Sequence, residues 1–203
     1  MIQFTDIMPG PTDRAAFVGQ TGSGKTTLAE YACSLRRHVV VFDAKGTINW
    51  PGYVVYKRLA KATATKDERI IYRPDFDELA DMESTERFFK WIYLRGNCLV
   101  YIDEVFSITN GEIMPRYYHA CLTRGRERGI QVYSSTQRPK GIPQVILSES
   151  EHLYAFRLVM PQDRERVASL CGLEADKMKQ LPKFQFWYAP QGGEVAGPLR
   201  LRI

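Results

Sequence analysis

The segment Gly19-Gln20-Thr21-Gly22-Ser23-Gly24-Lys25-Thr26-Thr27 has the residue types and spacing needed to bind a phosphate chain. It matches G-x-x-x-x-G-K-[ST], the Walker A pattern. Glycines at these positions let the backbone curl so that successive N–H groups face an anion, and a helix opening at Lys25 adds its positive N-terminal dipole. The expected cradle is Gly22, Ser23, Gly24, Lys25, Thr26 and Thr27. Lys25 would reach the β- and γ-phosphates of ATP, the Thr26 hydroxyl would ligate Mg²⁺, and Thr27 could bond the α-phosphate. A glycine-rich turn with a surface lysine would show the same letters. It would not have an apolar strand just before it and a helix just after, the context found here.

A bound triphosphate needs a metal partner and an activated acceptor. The run Cys98-Leu99-Val100-Tyr101-Ile102-Asp103-Glu104 is an apolar strand ending in two carboxylates. Asp103 would hold Mg²⁺ through a water, and Glu104 would orient and polarise the attacking water. A kinase uses the acceptor's own hydroxyl, so the adjacent glutamate favours hydrolysis. The plainer reading, two acids capping the next segment, has no need of the phosphate loop. A third element is Val132-Tyr133-Ser134-Ser135-Thr136-Gln137-Arg138-Pro139. Gln137, at a strand tip, is the candidate to meet the γ-phosphate or the water, against the alternative of an exposed loop glutamine.

The elements that must position these groups alternate along the chain. Short apolar runs at 15–18, 39–42, 53–56, 69–72, 98–102, 130–134 and 153–158 read as strands. Helix-like stretches at 25–35, 85–94 and 161–171 lie between them, with another from Pro115 ended by Gly125 or Gly129. This is the pattern of a mostly parallel sheet flanked by helices. Residues 184–188 and 199–202, separated by Gly192-Gly193, read as a C-terminal strand pair. With 203 residues, the expectation is one α/β domain spanning 1–203.

Composition excludes other classes. Hydrophobic residues are 44% and charged residues 25%, which argues against a disordered or fibrous chain. No stretch reaches the roughly 20 apolar residues of a membrane span. Residues 1–6 lack the basic start and apolar run of a secretory signal. Cys33, Cys98, Cys121 and Cys171 are widely spaced, as are His38, His119 and His152, so no zinc or haem pattern exists and free thiols are expected. The net charge is +5, and its distribution is uneven. Residues 36–66 carry seven basic residues and one acid, residues 115–140 six and one, and residues 75–86 six acids and no base. Lys57, Arg58, Lys61 and Lys66 are candidate DNA contacts, although such runs are often only solvated faces. Phe88, Phe89, Trp91 and Tyr93, and the stripe Met114, Tyr117, Tyr118, Cys121, are expected to pack as core rather than to stack on bases.

Taken in order, four features resemble the FtsK/HerA superfamily of RecA-like DNA-pumping ATPases. They are the Walker A loop; Asp43-Ala44-Lys45-Gly46, like the family's D-P-K-G apart from Ala44; Asp103-Glu104; and Thr123-Arg124-Gly125-Arg126-Glu127-Arg128-Gly129 leading to Thr136-Gln137-Arg138-Pro139. The resemblance covers roughly residues 14–160. It implies a RecA-like P-loop fold and, from the small size, similarity to genome-packaging ATPases of tailless double-stranded DNA viruses with an internal membrane. It further implies ATP and Mg²⁺ as cofactors, and double-stranded DNA and a viral procapsid or packaging vertex as partners. The assembly implied is a homo-oligomeric ring (six subunits by family analogy, five as the alternative), working in the host cytoplasm or at the virion vertex. The family's arginine finger falls at Arg126, with Arg124 or Arg128 as fallback; cations at a helix C-terminus would also be favourable there for purely local reasons. Rival readings are a cellular DNA pump or phage assembly and export ATPase of the same superfamily, and a small-molecule kinase.

Overall fold

The computed structural model describes residues 4–201. Its centre is a nine-stranded sheet. The strands are β1 (Ala15–Val18), β2 (Val39–Asp43), β3 (Val54–Tyr56), β4 (Arg69–Tyr72), β5 (Cys98–Asp103), β6 (Ile130–Thr136), β7 (His152–Ala155), β8 (Gln185–Pro190) and β9 (Ala196–Arg200). Their spatial order is β3-β4-β2-β5-β6-β1-β7-β8-β9. β1 to β7 pair in parallel, whereas β8 and β9 add antiparallel at one edge. The α/β fold and the C-terminal strand pair expected from the sequence are both present.

Burial on both faces explains why β1, β2, β5 and β6 are buried at every position, as central parallel strands are. Alternate residues go to opposite sides. Ala16 and Val18 join a cluster with Val40, Val100, Phe88, Phe89 and Tyr118. Ala15 and Phe17 join the other, with Val41, Tyr101, Leu28 and Ala32. Helix α1 (Lys25–Ser34) covers the second face, and α4 (Met82–Arg95), α5 (Arg116–Arg124) and α7 (Pro161–Cys171) cover the first. Phe88, Phe89, Tyr118 and Cys121 are at most 1% exposed, so the core reading holds and base stacking by the first two is excluded. Three short helices, α2 (Leu59–Ala64), α3 (Phe76–Ala80) and α6 (Gln144–Ser148), escape sequence periodicity because none exceeds two turns.

Several boundaries differ from expectation: β6 runs to Thr136, not 134, and β9 starts at Ala196, not 199, the expected end at 202 lying outside the described residues. Two others have local reasons. Helix α4 starts at Met82, not 85, because the Asp81 carboxylate accepts hydrogen bonds from the N–H groups of Glu83 and Ser84, an N-cap. Strand β7 ends at Ala155, not 158. The Arg157 carbonyl accepts from Gln20 N–H, and Leu158 N–H donates to Met178, so this stretch braces the glycine-rich loop and the C-terminal segment instead of continuing the ladder. Cys33, Cys98 and Cys121 are buried free thiols, and Cys171 is a partly buried one. No helix among the described residues is long and apolar enough to cross a membrane.

Candidate active site

The C-terminal ends of parallel strands gather loops from across the sheet, the usual place for a ligand in an open α/β fold. The Gly19–Gly24 loop leaves β1 there, Asp43–Gly46 leaves β2, Glu104 follows β5, and Gln137 follows β6. The glycines of the first loop are conformational requirements. Gly22 sits at φ 73° and Gly24 at φ 112°, a region that L side chains avoid. A Cβ on Gly24 would also lie 2.8 Å from Phe184 Cδ1. The loop is tied at its back: Gly19 N–H donates to Thr136 O (3.2 Å), Gln20 N–H to Arg157 O (2.8 Å), and Phe184 N–H to Ser23 O (2.9 Å). By contrast, the N–H groups of Gly22, Gly24, Lys25, Thr26 and Thr27 donate to no acceptor among the described residues. A row of such donors at a helix N-terminus is an anion cradle.

Lys25 is buried, and its ammonium donates to the carbonyls of Gly19 (2.7 Å) and Gln20 (3.0 Å). Burial pushes its pKa down to about 8, opposed by the nearby Glu104 charge and reinforced by Lys45. Asp103 closes β5 beside β2. Burial raises its pKa, while the hydroxyl of Tyr101, donating to Oδ1 at 3.0 Å, pulls the other way. Oδ2 of Asp103 and the Thr26 hydroxyl have no hydrogen-bond partner among the described residues.

Glu104 takes a left-handed backbone at φ 72°, uncommon for a residue with a side chain and frequent at functional turns. Its carboxylate is held on three sides. Oε1 accepts from Thr136 Oγ1 (3.0 Å) and Gln137 N–H (3.3 Å), and Oε2 accepts from Lys45 Nζ (2.8 Å). The Gln137 side chain accepts from the Thr21 hydroxyl at 2.6 Å, which joins the tip of β6 to the glycine loop. Thus the structure brings together Lys25, Asp103, Glu104, Gln137 and the 22–27 loop.

Arg126 lies elsewhere. It precedes β6 and sits at the opposite, N-terminal end of the parallel strands, where Nη2 pairs with Glu151 Oε1 at 2.6 Å. Seven residues of β6 put roughly 20 Å between the two ends of the strand, beyond the reach of its side chain to its own loop. Arg128 donates to the carbonyl of Tyr93 (2.6 Å) and lies over that ring, which commits it to bracing α4. Arg124 is exposed and has no partner among the described residues.

Lys45 and Thr136 lie within the sequence motifs, where residue type and spacing give neither a role. Asp43 shapes the Lys45 turn: fully buried, it accepts from the N–H groups of Thr47 and Ile48 (3.1 Å each) and pairs with Arg73 at 2.9 Å. Phe184, which packs on the loop from far along the chain, carries no local signal.

No protein-family model matches the chain. Against the DNA packaging ATPase P9 of Enterobacteria phage PRD1 it is 29% identical over 184 residues, covering 86% of this chain and 77% of that protein. The two are homologous. Among solved structures, the chain superposes on the genome packaging NTPase B204 of Sulfolobus turreted icosahedral virus 2, solved with AMPPCP. There the TM-score is 0.71 at 17% identity, covering 93% of this chain and 97% of that one. It also superposes on the bacterial conjugative coupling protein TrwB, with a TM-score of 0.67 at 10% identity and coverages of 90% and 83%. At such identities the two superpositions speak for the P-loop NTPase fold, and the PRD1 homologue for descent.

Proposed function

We propose that the protein is an ATP-hydrolysing motor that packages viral double-stranded DNA into a preformed capsid. The observation that carries this reading is the convergence of Lys25, Asp103, Glu104 and Gln137 on one unpaired N–H cradle, in a chain homologous to a phage packaging ATPase. The cradle takes the phosphates. Lys25, withdrawn onto its own loop carbonyls, turns to the β- and γ-phosphoryl oxygens and stabilises the charge that builds on them. Glu104 accepts the proton of the attacking water, and Gln137 orients that water or the γ-phosphate. A glutamate directly after the metal-side aspartate suits water as acceptor, which favours hydrolysis over a small-molecule kinase.

Mg²⁺ fits the residues present. The unpartnered Thr26 hydroxyl and Asp103 Oδ2 are hard oxygen donors beside the cradle. An ion bound there would be held mainly through substrate phosphates and waters. When bound, the ion supplies charge neutralisation at the phosphates.

Arg126, out of reach of its own loop and paired with Glu151, is read as acting on a neighbour's nucleotide, in a homo-oligomeric ring in which each site is completed between subunits. DNA would be gripped through its phosphates. Lys57, Lys61 and Lys66 are exposed and unpaired among the described residues, and Arg58 pairs loosely with Asp75 at 3.6 Å, so this edge supports a contact with the polyanion. The working place is the host cytoplasm, at the vertex of the filling capsid. In the deciding experiment, Glu104→Gln retains AMPPCP binding and loses hydrolysis by about 10²–10⁴-fold. Turnover at the normal rate in this variant would refute the assignment.

A further inference from the structure

The Glu104 carboxylate, the base of the proposed hydrolysis, already has three partners. Thr136 Oγ1 and Gln137 N–H both hold Oε1, and they come from the end of β6, a strand buried along its whole length. They set the carboxylate's direction and have little freedom to leave. Oε2 is the atom left for a water, and Lys45 Nζ sits on it at 2.8 Å. Lys45 is the mobile member of the set. Its side chain is 36% exposed against 9% for Glu104, it ends a flexible stem on a turn, and it has no other polar partner among the described residues. It also faces the same charges as the phosphate-binding lysine, since Lys25 and Asp103 both feel its field. An ammonium this close to the cradle meets a stronger anion than one carboxylate once a triphosphate is present.

We propose that Lys45 is a γ-phosphate-dependent latch on Glu104. Without a γ-phosphate, Lys45 holds Oε2 and keeps the base out of use. With one, Lys45 transfers to the phosphate oxygens and frees Oε2 for the water. No covalent step is added; one ion pair is exchanged for another. Lys45 is thus a positioning residue whose partner reports whether the third phosphate is there. This rests on the nucleotide-site reading above.

The test compares AMPPCP with ADP by titration calorimetry on the whole chain, because the latch responds to the third phosphate alone. Glu104→Gln removes the competing charge, so AMPPCP should bind about tenfold tighter while ADP changes by less than about twofold. Lys45→Met should weaken AMPPCP by about tenfold and leave ADP within about twofold. Lys45→Arg, which keeps the charge, should keep a preference for AMPPCP. The decisive arm is the double variant: in the Lys45→Met background, Glu104→Gln should change AMPPCP affinity by less than about twofold. An equal gain in both backgrounds would mean simple relief of carboxylate repulsion and would overturn the latch. Equal effects on ADP and AMPPCP would overturn it too. Failure of the unaltered protein to bind either nucleotide would instead sink the nucleotide-site reading itself.

Discussion

Lys25 should take up a proton when nucleotide binds at mildly alkaline pH. Burial lowers its pKa from 10.5 to about 8. At that value the side chain is about nine-tenths charged at pH 7 and only about one-quarter charged at pH 8.5. Phosphate oxygens placed against the ammonium favour the charged form and raise the pKa again. Binding of ADP or AMPPCP should therefore take up about 0.1 proton at pH 7 and about three-quarters of a proton at pH 8.5. The bound state holds more protons, so affinity should fall as pH rises above 8, by up to about tenfold per pH unit. Folding stability moves the opposite way. Its Lys25 pKa lies below the unfolded value, so the unfolded chain binds more protons between pH 8 and 10.5. The penalty, about 3 kcal/mol for that gap, is complete below pH 8 and is relieved as pH rises towards 10.5. Titration calorimetry in two buffers of different ionisation enthalpy gives the proton count directly. Lys25→Arg is the control, since a guanidinium does not titrate in this range. Equal uptake at pH 7 and pH 8.5, or the same alkaline uptake in Lys25→Arg, would refute the reasoning.

Three further outcomes are expected. Asp43→Ala should destabilise the fold by about 3–5 kcal/mol in urea unfolding, because it strands Arg73 and two loop N–H groups; a loss under about 1 kcal/mol would show that Asp43 does not hold the Lys45 turn. Arg126→Ala should bind ATP almost normally and hydrolyse it about 10³–10⁵-fold more slowly, and mixing it with equally inactive Lys25→Ala should restore part of the turnover. Mixed rings with proven subunit exchange and no recovery would reject action in trans. Double-stranded DNA binding should be indifferent to sequence and weaken steeply with salt, so a strong preference for one sequence in competition assays would argue against a pump.

The phosphate loop and the Asp103-Glu104 pair were legible in the sequence because each is local. Gly22, Gly24 and Lys25 act through backbone angles and helix polarity set within a few residues, and Asp103 sits where an unbroken apolar strand of the kind buried on both faces must end. The strand series followed from the same logic, since central parallel strands write their burial as continuous apolar runs. What the sequence left open are relations between distant segments. That Glu104 meets Lys45, 59 residues earlier, and Thr136, 32 later, depends on β2 and β6 flanking β5, an order that no local pattern encodes. The same holds for Phe184 against Gly24, and for Arg126, whose place at the far end of the strands puts its own loop out of its reach. Local chemistry was written in residue types and spacing. Which groups face one another was decided by how the sheet is ordered, because strand order follows from packing both faces at once rather than from any single stretch of chain.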